Sequence, residues 1–202
     1  MFSRQGLLQT WNEIRPYFIF SVILFFAAVV IGATPNAPTE YLSQQIKSLQ
    51  SLADDINKAS NPEFKAFLLI TANNVSNTLL VMVLGIVAGI MPIVMLISNG
   101  LVMGYLLSEI ADKGHNVWLL IVKGILPHGI FELSAIFLAC AFGMRFGITL
   151  FKGVLGSLLG KTKPWHPFVR TATGSVPALI VIIVFLVIAA IIESTITYWL
   201  VN

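Results

Sequence analysis

Charge is what this chain has least of. Twelve Lys/Arg and nine Asp/Glu amount to 10% of 202 residues, where a soluble domain carries about a quarter, so a water-soluble globule is excluded. Cysteine is nearly absent as well. The single Cys140 supports neither an internal disulfide nor a thiolate metal cluster and reads as a small packed residue. Basic runs are missing too, so the net charge of +3 and pI near 9.1 do not describe a nucleic-acid surface, and DNA and RNA are excluded as partners. No Walker loop, dinucleotide fingerprint, Ser/His/Asp arrangement or pair of catalytic carboxylates occurs, which leaves an enzymatic reading without support. No cofactor is implied.

What the chain does have is apolar length. Hydrophobic residues make up 57% and the mean hydropathy is +0.89, the composition of an integral membrane protein whose partner is the lipid bilayer. A spanning helix takes about 20 mostly apolar residues, and the sequence predicts an all-α, polytopic transmembrane bundle of five spans with amphipathic interfacial helices, forming one domain over residues 1–202. The first span runs from about Pro16 to Ala33. Ile31 and Pro35 spoil the small-x-small exit of a cleavable signal, so it reads as a retained span. Before it, residues 1–15 place Phe2, Leu7, Leu8, Trp11 and Ile14 among polar neighbours, which suits a short helix in the headgroup layer.

Residues 34–63 turn polar, between Pro35 and Pro38 at one end and Pro62 at the other. Leu42, Ile46, Leu49, Ala53 and Ile56 recur at helical spacing while Gln44, Gln45, Lys47, Asp54, Asp55 and Lys58 fill the remaining faces, so an amphipathic helix is expected. It serves either as a cap on the spans or as a docking surface for an extracytoplasmic protein. Residues 66 to 108 then run 43 positions without a formal charge, which as one helix would be about 64 Å long. Two spans are therefore expected, at 66–90 and 93–110. The break is placed at Pro92, which has no amide hydrogen and crowds the preceding turn, with Asn99-Gly100 as a possible second break. Val117 to Gly143, interrupted by Lys123 and Pro127-His128, reads as one kinked fourth span or as a re-entrant piece leading into a span. Residues 144–172 read as a cytoplasmic amphipathic and basic segment, because Arg145, Thr149, Lys152, Gly156 and Gly160 form one stripe and Lys161, Lys163 and Arg170 follow. The last span lies near 176–198, flanked by Tyr198 and Trp199. Placing the N-terminus in the cytoplasm puts seven basic residues inside and four outside, which favours a multi-pass cell-membrane protein with its C-terminus outside.

Polar side chains within the spans need a reason, because hydrocarbon makes them costly. Asn73 and Asn77 share a helix face at i, i+4, with Asn74 and Thr78 on the neighbouring one, and Asn99 adds an amide in the third span. They either fix the bundle through interhelical hydrogen bonds or line a path for a solute or ion. The fourth span carries Pro127-His128-Gly129-Ile130-Phe131-Glu132-Leu133. His128 and Glu132 project from one face, where imidazole and carboxylate pair, relay a proton or hold a metal. Two ligands do not make a zinc site, so no metal is assigned, and the order differs from the HExxH protease helix. One polar cluster is expected, joining His128, Glu132 and at least one of Asn73, Asn74 and Asn77 at a helix opened by Pro127. The pairs Gly85/Gly89, Gly100/Gly104, Gly143/Gly147 and Gly156/Gly160 allow close backbone approach, within one chain or across a homodimer or larger homo-oligomer.

Together, Trp11-Asn12-Glu13-Ile14-Arg15-Pro16, Asn73-Asn74, Pro92, Asn99-Gly100-x3-Gly104 and above all Pro127-His128-Gly129-x2-Glu132-Leu133 resemble the stage II sporulation protein M family over most of the chain. The resemblance implies a polytopic, non-enzymatic membrane protein. In spore-forming bacteria such a protein works with two cell-wall-degrading partners during engulfment, as their anchor and localiser. The family also occurs in bacteria and archaea that form no spores. His128 and Glu132 carry over as motif positions without assigned chemistry.

Overall fold

The computed structural model describes residues 3–87 and 89–197, and no strand occurs among them. Helix α1 is Arg4–Gly32, α2 Thr39–Asn57, α3 Pro62–Leu84, α4 Ile90–Asp112, α5 Val117–Leu120, α6 Leu126–Leu158 and α7 His166–Ile192. Two π-helical stretches complete the order, Ile121–Ile125 ahead of α6 and Glu193–Thr197 after α7. Five helical segments are long and apolar enough to cross a membrane: α1, α3, α4, the run Val117–Leu158 and the run His166–Thr195. The protein is a multi-pass membrane protein. The expected flanking residues Tyr198 and Trp199 lie outside the described residues.

Local chemistry sets the helix starts. The Gly6 amide donates to the Ser3 hydroxyl at 3.2 Å, the Phe64 amide to Asn61 Oδ1 at 3.1 Å and the Leu119 amide to Asn116 Oδ1 at 3.1 Å. Each bond satisfies one of the amides that a helix N-terminus leaves without an internal partner. Pro62 follows its cap at the first helical position, where a missing amide hydrogen costs nothing.

At the centre stands α6, packed on α7, α1, α3 and α4. Its middle is a run of small residues, with Ala135, Ala139, Cys140, Ala141 and Gly143 all buried, so four neighbours approach one helix closely. One group of core contacts joins Ile14, Met82, Phe142, Phe146, Ile182 and Leu186. A second joins Phe25, Val81, Leu96, Ile136 and Phe137. Gly85, Gly100, Gly104 and Gly143 of the glycine pairs pack helices within this chain, while Gly160 faces open space. A Cβ on Gly104 would collide with the Val29 carbonyl and one on Gly32 with Leu101, while Gly85 lies against the backbone of Gly143. The α1·α4 and α3·α6 contacts therefore depend on these missing side chains.

Several boundaries differ from expectation. The break between the second and third spans lies at residues 85–89 and ends on Gly89 at φ +71°, a left-handed conformation that suits glycine. Pro92 sits buried in the first turn of α4, where the ring meets no upstream helical carbonyl, so proline is tolerated and does not mark the turn. Asn99-Gly100 lies inside a continuous α4 because Gly100 packs against Phe25 and Ala28 of α1. The segment before Pro16 is no separate helix, since α1 runs through Pro16. The segment after residue 143 is no separate helix either. Arg145, Thr149, Gly153 and Gly156 face inward against α7 and the 159–165 connection, and Phe151 and Leu158 are 67% and 79% exposed. Of the stripe taken for a water-facing surface, Arg145, Thr149 and Gly156 pack inward, whereas Lys152 and Gly160 are exposed, and the apolar Phe151 and Leu158 turn outward. For the same reason α7 begins at His166, ten residues ahead of the expected 176.

Helix α2 lies across α3 and α4. Leu42 and Ile46 are buried, Ile56 is half-buried, and Ala53 of the expected apolar face is exposed. The Lys65 ammonium donates to the Asp55 carbonyl at 2.7 Å and the Tyr41 hydroxyl to Ser98 Oγ at 3.3 Å, which fixes α2 at both ends.

Candidate functional site

A cavity of about 470 Å³ opens between α3, α4 and α6. Asn73, Asn74, Asn77 and Thr78 enter it from α3, Asn99 from α4, and His128, Gly129 and Glu132 from α6. All six polar residues expected from the sequence thus share one space. The arrangement follows from helical periodicity, since Asn73 and Asn77 stand one turn apart on α3 and His128 and Glu132 one turn apart on α6.

Within the cavity the Asn74 side-chain amide donates to Glu132 Oε1 at 2.9 Å, linking two helices 58 positions apart in sequence. The Asn77 amide donates to Asn73 Oδ1 at 3.0 Å along α3. Asn73, Asn77 and Asn99 are exposed, whereas Asn74, His128 and Glu132 are half-buried, so the three outer amides mark the mouth and the titratable groups lie deeper. Pro127 opens the helix as the π-helical stretch Ile121–Ile125 gives way to α6, and Gly129 is buried beside it. Of the other positions singled out for helix breaks or packing, Gly85 and Gly89 lie in the α3–α4 connection, Pro92 in the first turn of α4 at Gly143, and Gly100 and Gly104 in the α1·α4 contact.

Sequence reasoning missed a third titratable residue. Glu193, the first residue of the second π-helical stretch, brings a carboxylate oxygen to within 4.8 Å of ligand atoms of His128 and Glu132. The two π-helical stretches touch each other and the second touches α3, which brings the end of α7 to the start of α6. The available signal was burial cost, because Glu193 is the one charged residue after Arg170 in the sequence and sits in an otherwise apolar span.

A second polar group was also missed, centred on Arg145 midway along α6. The Glu13 carboxylate lies between the guanidinium groups of Arg145 and Arg170, pairing with both. Arg145 Nε donates to Thr171 Oγ1 at 2.9 Å, and that hydroxyl donates to the Pro167 carbonyl at 2.9 Å. Only 9% of the Arg145 side chain is exposed. One carboxylate thus joins α1, α6 and α7, and the sequence had placed these three charges in two separate surface segments.

The model of the stage II sporulation protein M family matches residues 15–198. The chain belongs to that family. The match spans both polar groups, with Glu13 just outside its start. A similar protein, described as uncharacterized, comes from Methanocaldococcus jannaschii, with 27% identity over 122 residues covering 60% of this chain and 53% of that protein. The chain thus spans about half the length of this curated relative. No solved structure matches the chain.

Proposed function

We propose that this family member handles a small cation or cationic solute in the cavity between α3, α4 and α6, as a non-enzymatic transport or channel component. The observation that carries the reading is the gathering of Glu132, Glu193 and His128 beside a cavity whose lining has no Lys or Arg among the described residues. An isolated charge at such a depth costs at least about 2.5–3.5 kcal/mol, and two carboxylates side by side repel each other in addition. A bound cation or a proton offsets both terms. Asn73, Asn77 and Asn99 at the mouth replace water ligands for an entering solute. They also leave exposed amides that a homodimer or larger assembly would cover; the glycine pairs give that assembly little support, since they pack helices within the chain.

The test is flux through purified protein in lipid vesicles, with H⁺, Na⁺ and Mn²⁺ gradients imposed one at a time and read by an entrapped indicator. One of the three is expected to pass faster than in protein-free vesicles and to fall to that level in Glu132→Gln. Equal rates with and without protein for all three overturn the reading.

A second reading, a membrane scaffold or anchor, is supported by α2. Its polar face, with Gln44, Gln45, Asp54 and Asp55 exposed, is held in one orientation by the contacts of Leu42, Ile46 and Lys65. With the N-terminus in the cytoplasm, that face meets an extracytoplasmic protein partner. Absence of flux together with position-specific photocrosslinks from Gln45 and Asp55, and none from a buried position such as Leu42, would favour this reading.

A further inference from the structure

We propose that His128, Glu132 and Glu193 form a site for a first-row divalent metal ion, which ties the start of α6 to the end of α7. The site rests on the cation-handling reading, names its class of cation and uses the same three residues.

The donor set is one imidazole nitrogen and two carboxylate oxygens, a combination that suits Zn²⁺, Mn²⁺ or Fe²⁺ rather than the soft-ligand ions. The three ligand atoms lie within 4.8 Å of one another. Bonds of about 2.0–2.2 Å to a tetrahedral ion place ligands roughly 3.4 Å apart, so modest side-chain rotation closes the set. Three protein ligands leave a fourth position open, and because His128 and Glu132 line the cavity, that position faces it. The second requirement of a metal site, an outer partner that orients a ligand, is met by Asn74, whose amide holds Oε1 of Glu132 and leaves the other oxygen for the ion.

The backbone around the site supports the same conclusion. His128 and Glu132 share one face of α6 immediately after the π-helical stretch Ile121–Ile125, and Glu193 opens the stretch Glu193–Thr197 that touches it. A π-helical turn re-aims the side chains around it and is frequent at functional sites. Two such turns meeting where three ligands converge are accounted for by the need to aim those ligands at one point. The Glu13 group lacks this pattern, since its one carboxylate is already shared by two guanidiniums.

Protein stripped with a chelator and placed in lipid nanodiscs is titrated with Zn²⁺ by calorimetry and with Co²⁺ by visible absorption. The parent is expected to bind one ion per chain. Asn74→Leu, which removes the outer partner, should lower affinity by roughly 10–100-fold, and Glu193→Gln and His128→Gln, which remove ligands, by more. His115→Gln and His166→Gln, away from the cluster, should leave affinity unchanged. Helicity and elution volume check the fold of each variant, and Glu193→Asp, which keeps a carboxylate, should retain more affinity than Glu193→Gln. Less than one ion per chain, or equal affinity in the parent and a folded Glu193→Gln, overturns the site. If Na⁺ or H⁺ flux persists without Zn²⁺ or Co²⁺ binding, the site falls and cation handling stands. One-to-one metal binding without any flux leaves the site standing and removes the transport reading.

Discussion

The two polar groups of this bundle are built from the same kinds of residues and differ in how their charges are matched. In the first half of α1, Glu13 meets Arg145 and Arg170, with Thr171 Oγ1 accepting from Arg145 Nε. Near the start of α6, Glu132 and Glu193 meet one imidazole and one amide. In the first group the carboxylate is paired by two guanidiniums of the chain itself, between α1, α6 and α7. The second gathers two carboxylates and an imidazole beside a cavity whose lining has no Lys or Arg among the described residues. Buried charge is therefore not by itself a functional signal in this family member. The proposed cation handling rests instead on the second group, where two carboxylates adjoin open space.

The largest effect that sharpens this comparison is topological. If the Glu13 group lies toward the cytoplasm, single cysteines introduced at Asp54 and Lys161 in a Cys140→Ala background should behave in opposite ways. The one at Asp54 is expected to react with a membrane-impermeant reagent in intact cells and the one at Lys161 only after lysis. Labelling at Lys161 in intact cells would invert the assignment of the two groups to the two sides.

Next in size is stability. Arg145→Leu strands the Glu13 carboxylate against Arg170 alone and leaves Thr171 without its donor. Breaking a buried pair of this kind costs about 3–5 kcal/mol. Asn74→Leu removes one interhelical hydrogen bond, worth about 0.6–1.7 kcal/mol in a membrane bundle. Thermal unfolding in detergent should rank Arg145→Leu well below Asn74→Leu, and the reverse order would mean that the cavity group, not the Glu13 group, holds the helices together.

How much of this was legible in the sequence depends on which residues are considered. Five spans follow from apolar length, and six cavity residues follow from polar side chains where hydrocarbon was expected, at spacings that place them on shared faces. Glu193 was harder to read, because a carboxylate near the end of an apolar run resembles a span boundary, and only the folded chain brings it beside His128, 65 positions away in sequence. Arg145 was misread for a different reason. A stripe of Arg145, Thr149, Lys152, Gly156 and Gly160 is amphipathic on paper, and the pattern alone does not say which face meets solvent. Within a membrane, small and polar residues turn toward neighbouring helices while Phe151 and Leu158 turn outward. Pro92 misled because a proline breaks a helix interior and fits a first turn, and periodicity does not separate these positions.

The central question is whether the cavity group, and not the Glu13 group, is completed by an ion. Melting temperature with and without saturating Zn²⁺, measured for the parent, for Glu132→Gln/Glu193→Gln and for Thr171→Val, decides it. An ion that binds only the folded state at about 100 times its dissociation constant adds about 2.7 kcal/mol of stability. The parent and Thr171→Val are therefore predicted to melt at higher temperature with Zn²⁺, and the double variant at the same temperature with or without it. An equal rise in all three, or no rise in the parent, would contradict the account.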